Sequence, residues 1–336
     1  MANLNTGNFS DAIKTYYEKR LLTRALPRLV HARFGMQARV NRGFGSLELR
    51  KYTGLSAVTT PLTSGVTPSE QAAPALATTT ITPLWYGAWL GYTDKLDLTN
   101  FDPIVSESVG ILGEQAGLSI DTLIRTTLVA DSTLDYSNGI SAIGSLTAVT
   151  DKISFSDILI QVAELEAANA RPIGGTYKVI CHPYTMATLF EDDNFVTLFT
   201  REGGNAIRNG LMGRIFNMDF YVTSNAKKYT DEGASSADPY SMLFIAAESY
   251  GSWGLANLTP NYGGMDTVGG EPGFARGGND TGKSPKPVEI IMMEPGSAGS
   301  LDPLKQRGTI AWKCAHDDTV LNSAWIRNLI HINSWS

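Results

Sequence analysis

Eight consecutive residues, Gly277-Gly278-Asn279-Asp280-Thr281-Gly282-Lys283-Ser284, fit the phosphate-binding pattern G-x-x-x-x-G-K-[ST] letter for letter. In such a loop the backbone amides wrap the phosphates, the lysine meets the outer phosphates and the hydroxyl holds magnesium. That chemistry needs a buried strand before the loop and a helix after it. Here the Gly-rich stretch Gly269 to Arg276 precedes it, and Pro285 and Pro287 stand where the helix should run. Nucleotide binding through 277–284 therefore stays only as an alternative. Cys181-His182 and Cys314-Ala315-His316 offer zinc-type donors, but without the usual C-x-x-C or H-x-x-x-H spacing. A Cys/His nucleophile pair is equally unconstrained, because thiol reactivity depends on surroundings that the sequence does not show. Glu191-Asp192-Asp193 and Asp317-Asp318 have the carboxylates for acid/base or metal work, yet helix ends and turns explain them more simply. No G-x-S-x-G, H-E-x-x-H or EF-hand spacing occurs. The expectation is a chain that is not an enzyme, with no catalytic, cofactor-binding or metal-ligating residue and no cofactor.

The elements around these residues are mostly strands and turns. Residues 12–26 read as an amphipathic helix stopped by Pro27. A strand run follows at Leu47 to Tyr52 and a longer one at Thr78 to Tyr92, while 57–77 show neither helical nor strand period. A structureless connection of that length is rare inside a compact domain and usually serves a function. From Thr53 to Thr93 the only charged residue is Glu70. Charge depletion with Trp and Tyr present marks an interface core, so 46–95 read as a two-stranded arm reaching over a neighbouring subunit. The strongest helix signal spans 102–131, with Asp102 as cap, Pro103 first, and Val105, Val109, Leu112, Ala116, Leu123 and Leu128 near one face. Gly110, Gly113 and Gly117 weaken it and suggest close backbone contact. A second helix starts at Ser154, with Asp157 three residues on, and stops before Pro172. Beyond it come short strands at Tyr177–Cys181, Asp219–Thr223, Met242–Ala246, Val288–Met293, Thr309–Cys314 and Trp325–Ile332. A short helix is expected after Pro183, and a long Gly/Pro-rich loop over 259–287.

Composition narrows the class. The 336 residues are 43% hydrophobic, enough for a sizeable core, yet only 18% charged, against about 25% in ordinary soluble domains. Whole-chain disorder is excluded. A membrane protein would explain the low charge, but no run approaches roughly 18 uninterrupted apolar residues, and the first residues lack a signal-peptide core. The remaining explanation is a surface buried against other chains. Two cysteines cannot form a disulfide framework, which points to a reducing cytoplasm and buried thiols. The net charge of −6 is uneven: residues 11–51 hold ten Lys/Arg against three Asp/Glu, leaving 17 Lys/Arg and 30 Asp/Glu elsewhere. Such a basic arm on an acidic body suits docking on an acidic partner or facing nucleic acid, and a solvated basic helix face explains it equally well.

This order of parts, together with particular stretches, resembles the major capsid proteins of tailed bacteriophages with the Hong Kong 97-type coat fold, most closely podoviruses related to coliphage N-four. The likeness is carried by Gly296-Ser297-Ala298-Gly299-Ser300-Leu301-Asp302-Pro303-Leu304-Lys305-Gln306-Arg307-Gly308-Thr309 leading to Trp312-Lys313 and Leu321-Asn322, by Cys181-His182-Pro183 after a strand, and by Gly213-Arg214-Ile215 ahead of Asp219-Phe220-Tyr221-Val222. The resemblance implies an α+β fold with 1–45 as N-terminal arm, 46–95 as extended loop, 96–131 as peripheral domain with a spine helix, and 132–304 as axial domain. Residues 305–336 would be strands returning to the central sheet. It further implies self-assembly through pentamers and hexamers into an icosahedral shell around double-stranded DNA, inside the bacterial host cytoplasm. Portal and scaffolding proteins would be partners, with a decoration protein as a further candidate; DNA would be enclosed without sequence-specific contacts, and no membrane is involved. An encapsulin-like nanocompartment shell is the alternative on the same fold.

In the founding member of that fold, shells are locked by an isopeptide bond from a lysine of the extended loop to an asparagine of a neighbour. Here no lysine occurs between Tyr52 and Asp94. Loop-centred crosslinking is therefore expected to be absent: purified particles should run as single chains in denaturing gels, and a covalent ladder mapped by peptide sequencing to 53–93 would refute this.

Overall fold

The computed structural model describes residues 29–40, 45–71, 73–99, 104–201, 211–215, 217–255, 288–293, 295–296 and 302–334. The helix expected over 12–26, the Asp102-Pro103 cap, the Gly-rich loop 259–287 and the phosphate-loop pattern 277–284 lie outside them.

In chain order the strands and helices are β1 (Met36–Val40), β2 (Leu47–Tyr52), β3 (Leu76–Ile81), β4 (Leu84–Thr93), α1 (Asp94–Thr99), α2 (Ile104–Asp131), β5 (Thr133–Tyr136), α3 (Phe155–Ala167), β6 (Tyr177–Cys181), α4 (Pro183–Leu189), α5 (Asp193–Arg201), β7 (Leu211–Ile215), β8 (Met218–Val222), β9 (Tyr240–Ile245), β10 (Tyr250–Leu255), β11 (Glu289–Met293), β12 (Arg307–Val320) and β13 (Ile326–His331). They form a six-stranded sheet, β5-β13-β9-β6-β8-β7, and a five-stranded sheet, β1-β10-β12-β11, with β4 also paired to β12. A separate two-stranded ribbon is made of β2 and β3.

The six-stranded sheet is covered on both faces, so its central strands β6 and β9 are buried along their whole length and largely apolar. Along β6 and β9 the side chains alternate between two cores. Val179, Cys181, Met242 and Phe244 meet Ile158, Val162 and Leu165 of α3 and Met186 and Leu189 of α4. On the opposite face Ile180, Leu243 and Ile245 meet Ile124 and Leu128 of α2. The α3 start is a full capping box: Ser154 Oγ accepts from Asp157 N–H, and the Asp157 carboxylate accepts from Ser154 N–H. Pro183 opens α4, where it costs no hydrogen bond, behind His182 as N-cap.

Helix α2 is 28 residues long, about 42 Å at 1.5 Å per residue, and serves both sheets. Its first half packs Leu112 and Ala116 on Ile310, Trp312 and Cys314 of the five-stranded sheet. Its second half packs Ile124 and Leu128 on the six-stranded one. The buried face differs from the expected one at its C-terminal half, where Asp121 and Ile124 are buried and Leu123 only partly. Of the three helical glycines the expected close contact occurs at Gly117, where an added Cβ would stand 2.9 Å from Leu29 Cδ1; Gly113 has open space around it.

Asp121 holds the segment before β1 to the helix. Its Oδ1 accepts from His31 N–H at 2.9 Å, and its Oδ2 lies 2.8 Å from His31 Nδ1 and accepts from Asn225 Nδ2 at 2.7 Å. Arg125 then donates to the Asn225 carbonyl and side-chain oxygens at 2.8 and 2.9 Å, and Tyr250 hydroxyl donates to the His31 carbonyl. Burial pushes the Asp121 carboxyl up, but the bonds and charge of His31 outweigh it and hold the group below the usual carboxylate range.

Two expectations change. The arm expected over 46–95 divides: β2 and β3 form the ribbon, whereas β4 leaves it and pairs along ten residues with β12, from Arg307↔Thr93 to His316↔Leu84. Thr82-Pro83 is the break, and Pro83 supplies no ladder N–H. The strand expected to stop at Cys314 runs on to Val320 through His316, Asp317 and Asp318. Those charges are tolerated because Thr82 N–H donates to Asp317 Oδ2 at 2.7 Å and His316 Nε2 sits 2.8 Å from Asp318 Oδ2.

Two measurements test this packing. Asp121→Ala strips the acceptor from three buried donors and is expected to cost about 3–5 kcal/mol in urea unfolding, whereas an effect below about 1 kcal/mol would show that the clamp is not holding the fold. His331 is fully buried, and burial pushes it down to about 4, with its bond to the Leu329 carbonyl opposing only in part. The unfolded chain takes up that proton below about pH 6.5 and the folded chain does not until about 4, so stability is lost as pH falls across that window, by roughly 3 kcal/mol. His331→Gln should flatten the pH 6.5-to-4 limb of the unfolding midpoint; an unchanged limb would assign the loss elsewhere.

Candidate assembly surfaces

Large apolar side chains left in water concentrate in two places. The first is the ribbon β2–β3 with its connecting tip. Thr53 N–H donates to the Ala75 carbonyl at 2.9 Å, and Ala75 N–H donates to Thr53 Oγ1, closing the ribbon at its far end. Beyond that rung every described residue of the tip is exposed, including Leu55, Val58, Val66 and Leu62, the last at 76%. At the near end Ile81 is fully buried. Ile81 as a buried plug, the Thr82 to Asp317 hydrogen bond and Lys51 Nζ at 5.8 Å over the Trp325 ring join the ribbon to the body, and the tip beyond is uncovered among the described residues.

The second is the face of the five-stranded sheet turned away from α2. The β4 sequence Leu-Trp-Tyr-Gly-Ala-Trp-Leu-Gly-Tyr-Thr alternates, so Tyr86, Ala88 and Tyr92 meet α2 while Trp85, Gly87, Trp89 and Gly91 point outward. Opposite these lie Ala315, Lys313, Ala311 and Thr309 of β12, and then Glu289, Ile291 and Met293 of β11. The glycines let β4 lie close: a Cβ on Gly87 would come within 2.6 Å of the Trp312 carbonyl oxygen. Trp89 is 68% exposed, and Lys313 Nζ stands 4.0 Å over the Trp85 ring, a cation held on an aromatic face. At one end the face deepens into a cavity of about 550 Å³ lined by Trp89, Gly91, Leu96, Met293 and Thr309. Its acidic member, Asp302, accepts the Arg307 and Gln306 N–H groups, which hold its carboxyl below the usual range. The cavity is therefore an apolar seat with its carboxylate already engaged.

The residues singled out for chemistry are apart and occupied. Cys181 and Cys314 lie on different sheets as buried free thiols, Cys181 pushed up to about 12 by burial, so neither is a thiolate at neutral pH. His182 Nδ1 accepts the Tyr184 N–H, and burial with nearby Lys228 pushes the ring down. Asp192 accepts from Phe155 N–H and Asn194 N–H, Asp193 sits in the first turn of α5, and Glu191 accepts from Ser334 Oγ. Asp318 is pushed up by burial, and with Asp317 it belongs to the β12 pairing already described. Among the described residues no group of three or more His, Cys, Asp or Glu could hold a metal ion, and no helix is long and apolar enough to cross a membrane. What residue-by-residue reading missed is the outward row Trp85, Gly87, Trp89 and Gly91. Its period of two was visible, but not that a helix covers only the other face.

The family described as phage capsid protein matches residues 76–327 of the chain. A search of curated proteins finds no sequence match. In structure the chain is similar to the capsid of Cyanophage Pam1, with TM-score 0.68 and 9% identity over 99% of both chains. It is also similar to the capsid of Ralstonia phage GP4, with TM-score 0.67 and 14% identity over 95% of both. A third likeness is the SrpI encapsulin of Synechococcus elongatus, with TM-score 0.59 and 9% identity over 100% of this chain and 98% of that one.

Proposed function

The chain belongs to the phage capsid protein family, and on that premise we propose that it is the major capsid protein, assembling with copies of itself into an icosahedral shell around a double-stranded DNA genome. Its role is structural and not enzymatic. The observation that carries the reading is the tip of the β2–β3 ribbon, where Leu55, Val58, Leu62 and Val66 stand exposed, Glu70 is the one charge and every described residue is uncovered. A monomer gains nothing from such a tip, whereas a shell subunit laying it over a neighbour buries apolar area on the scale of obligate interfaces, above about 2,000 Å² in total. The outward Trp85–Trp89 face supplies aromatic anchors of the kind that dominate interface energies.

Within this reading 1–45 form an N-terminal arm, 46–95 carry the extended loop, 96–131 are the peripheral domain around the long helix, and 132–304 form the axial domain that packs into pentamers and hexamers. Residues 305–336 tie these parts together. The basic arm contacts a scaffolding partner or the shell interior, and the acidic body limits adhesion of packaged DNA. Portal, scaffolding and decoration proteins are the further partners, and assembly takes place in the host cytoplasm. Similarity to an encapsulin supports a second reading, a nanocompartment enclosing cargo enzymes.

Electron microscopy of the purified chain should show closed shells or capsomers, and particles from the native source should contain DNA; enzyme cargo in its place would favour the nanocompartment. Replacing 57–71 by Asn-Gly should leave a folded chain that closes no shells. Trp89→Ser, at an exposed site, should change unfolding stability by less than about 1 kcal/mol while raising the concentration needed for assembly by about tenfold or more. Normal shells from both variants would sink the proposal that these surfaces drive assembly.

A further inference from the structure

The layers on the two faces of the six-stranded sheet each end in an apolar patch left in water. Along β13 Leu329 belongs to the core shared with α3 and Ile330 to the core shared with Leu146, so α3 and the segment 137–153 lie on opposite faces of the sheet. Helix α3 is apolar on both of its sides. Ile158, Val162 and Leu165 face the sheet, while Leu159, Ile160 and Ala163 form an uncharged outer stripe, with Ile160 54% exposed. A helix of that kind is normally buried all round. Exposed Glu164 and Glu166 border the stripe. On the other face residues 137–150 contain no charge, and charge depletion marks the core of an interface. The turn Thr147-Ala148-Val149-Thr150 in that segment is clamped by Asp151, which accepts Thr147 N–H and the Thr147 hydroxyl at 2.7 Å, the Thr150 hydroxyl at 3.0 Å and Asn138 Nδ2 at 3.1 Å. Leu146 anchors it, buried against Ile330 and Ile332. What this clamp presents is Val149, 84% exposed. Exposed Lys152, bridged to Ile332, stands on the same side as the turn.

We propose that Val149 is a knob that packs on Leu159, Ile160 and Ala163 of α3 in a second copy of this chain, joining copies head to tail, turn face on helix face. This rests on the assembly reading above and specifies which surfaces of 132–304 meet. Burying a carboxylate costs free energy even when four donors satisfy it, and holding one valine rigidly in water gives no return unless that valine is covered. A second copy is the occupant because each patch supplies what the other lacks. The knob is neutral with Lys152 beside it, and the stripe is neutral between Glu164 and Glu166. Laying one on the other sets opposite charges at the rim and none at the centre, as interfaces are built. Patches on opposite faces of one sheet cannot meet within a single chain. Between copies they make a heterologous contact, which generates a ring when the rotation closes.

Val149→Cys combined with Ala163→Cys in one chain is the direct test, because side chains that pack this closely lie within disulfide reach. Oxidised shells of the double variant should give a ladder of linked chains in non-reducing gels, stopping at the number of copies in a ring. Each single variant should stay monomeric in those gels, and shells from a mixture of the two should give dimers and nothing larger. Val149→Asp and Ile160→Asp, both at exposed positions, should keep the wild-type thermal midpoint as unassembled chains. Each should raise the concentration needed for assembly about tenfold or more. Wild-type assembly by both Asp variants, or double-variant shells that stay monomeric on oxidation, overturns the proposal. Dimers from a single variant overturn it as well, since like patches then meet. So does a disulfide from either introduced cysteine to a different polypeptide of the native particle in place of the ladder. A wild-type chain that forms no shells under any condition removes the assembly reading itself, a result distinguishable from all of these.

Discussion

One helix covering two sheets is the constraint on which the rest of this structure depends. Neither sheet can move without α2, because Leu112 and Ala116 belong to one core and Ile124 and Leu128 to the other. Besides the crossing made by α2 itself, two chain crossings between the sheets meet at a single residue. Between β9 and β10, the Ser249 carbonyl accepts both Leu321 N–H and Asn322 N–H, the residues that lead from β12 to β13. Asp121, on the same helix, adds the segment before β1 to this joint. The body is thus tied along its length by one rod, and the ribbon is the element left outside that tie.

Buried polar groups follow the same logic. Lys178 and Asp219 meet at 2.5 Å on neighbouring strands with Thr176 in attendance. Asp151 takes Thr147 N–H, Thr147 and Thr150 hydroxyls and Asn138 Nδ2; these bonds overcome the burial that opposes its charge and hold it at about 2. Asp151 thus positions backbone, and Lys178 with Asp219 ties two neighbouring strands together. A catalytic group needs spare hydrogen-bonding or nucleophilic capacity facing an accessible site. The cysteines are instead buried as neutral thiols, and the candidate carboxylates cap helices or hold strand junctions. Polar groups engaged in holding the fold and apolar groups left outside suit a subunit of a larger object.

Elements with local signals were legible in the sequence. The Ser154–Asp157 box, Pro183 at a helix start, the long amphipathic run of α2 and the apolar strands β6 and β9 each announce themselves within a few residues. What depended on long-range pairing was not legible. Strands β1, β5, β7 and β10 are short, and their order in the sheets is decided by partners up to some 200 residues away. Whether β4 belongs to the ribbon or the body is decided by β12, which lies more than 200 residues later. Likewise His316, Asp317 and Asp318 read as the end of a strand until Thr82 and β10 are seen beside them.

The low charge of the chain acquires a different meaning at its two main locations. In the tip of the ribbon, neutrality lets an exposed surface be covered without desolvating ions, a cost that for charges reaches several kcal/mol each. On β3 neutrality acts on the backbone. No charged side chain stands along β3, whereas β2 carries Glu48, Arg50 and Lys51, so the two strands differ in the charge that guards their edges. An unguarded edge would be an aggregation hazard in a monomer. In a capsid subunit the charges on β2 oppose edge-to-edge stacking of ribbons without limit, while the neutral tip beyond them can be covered without desolvating ions.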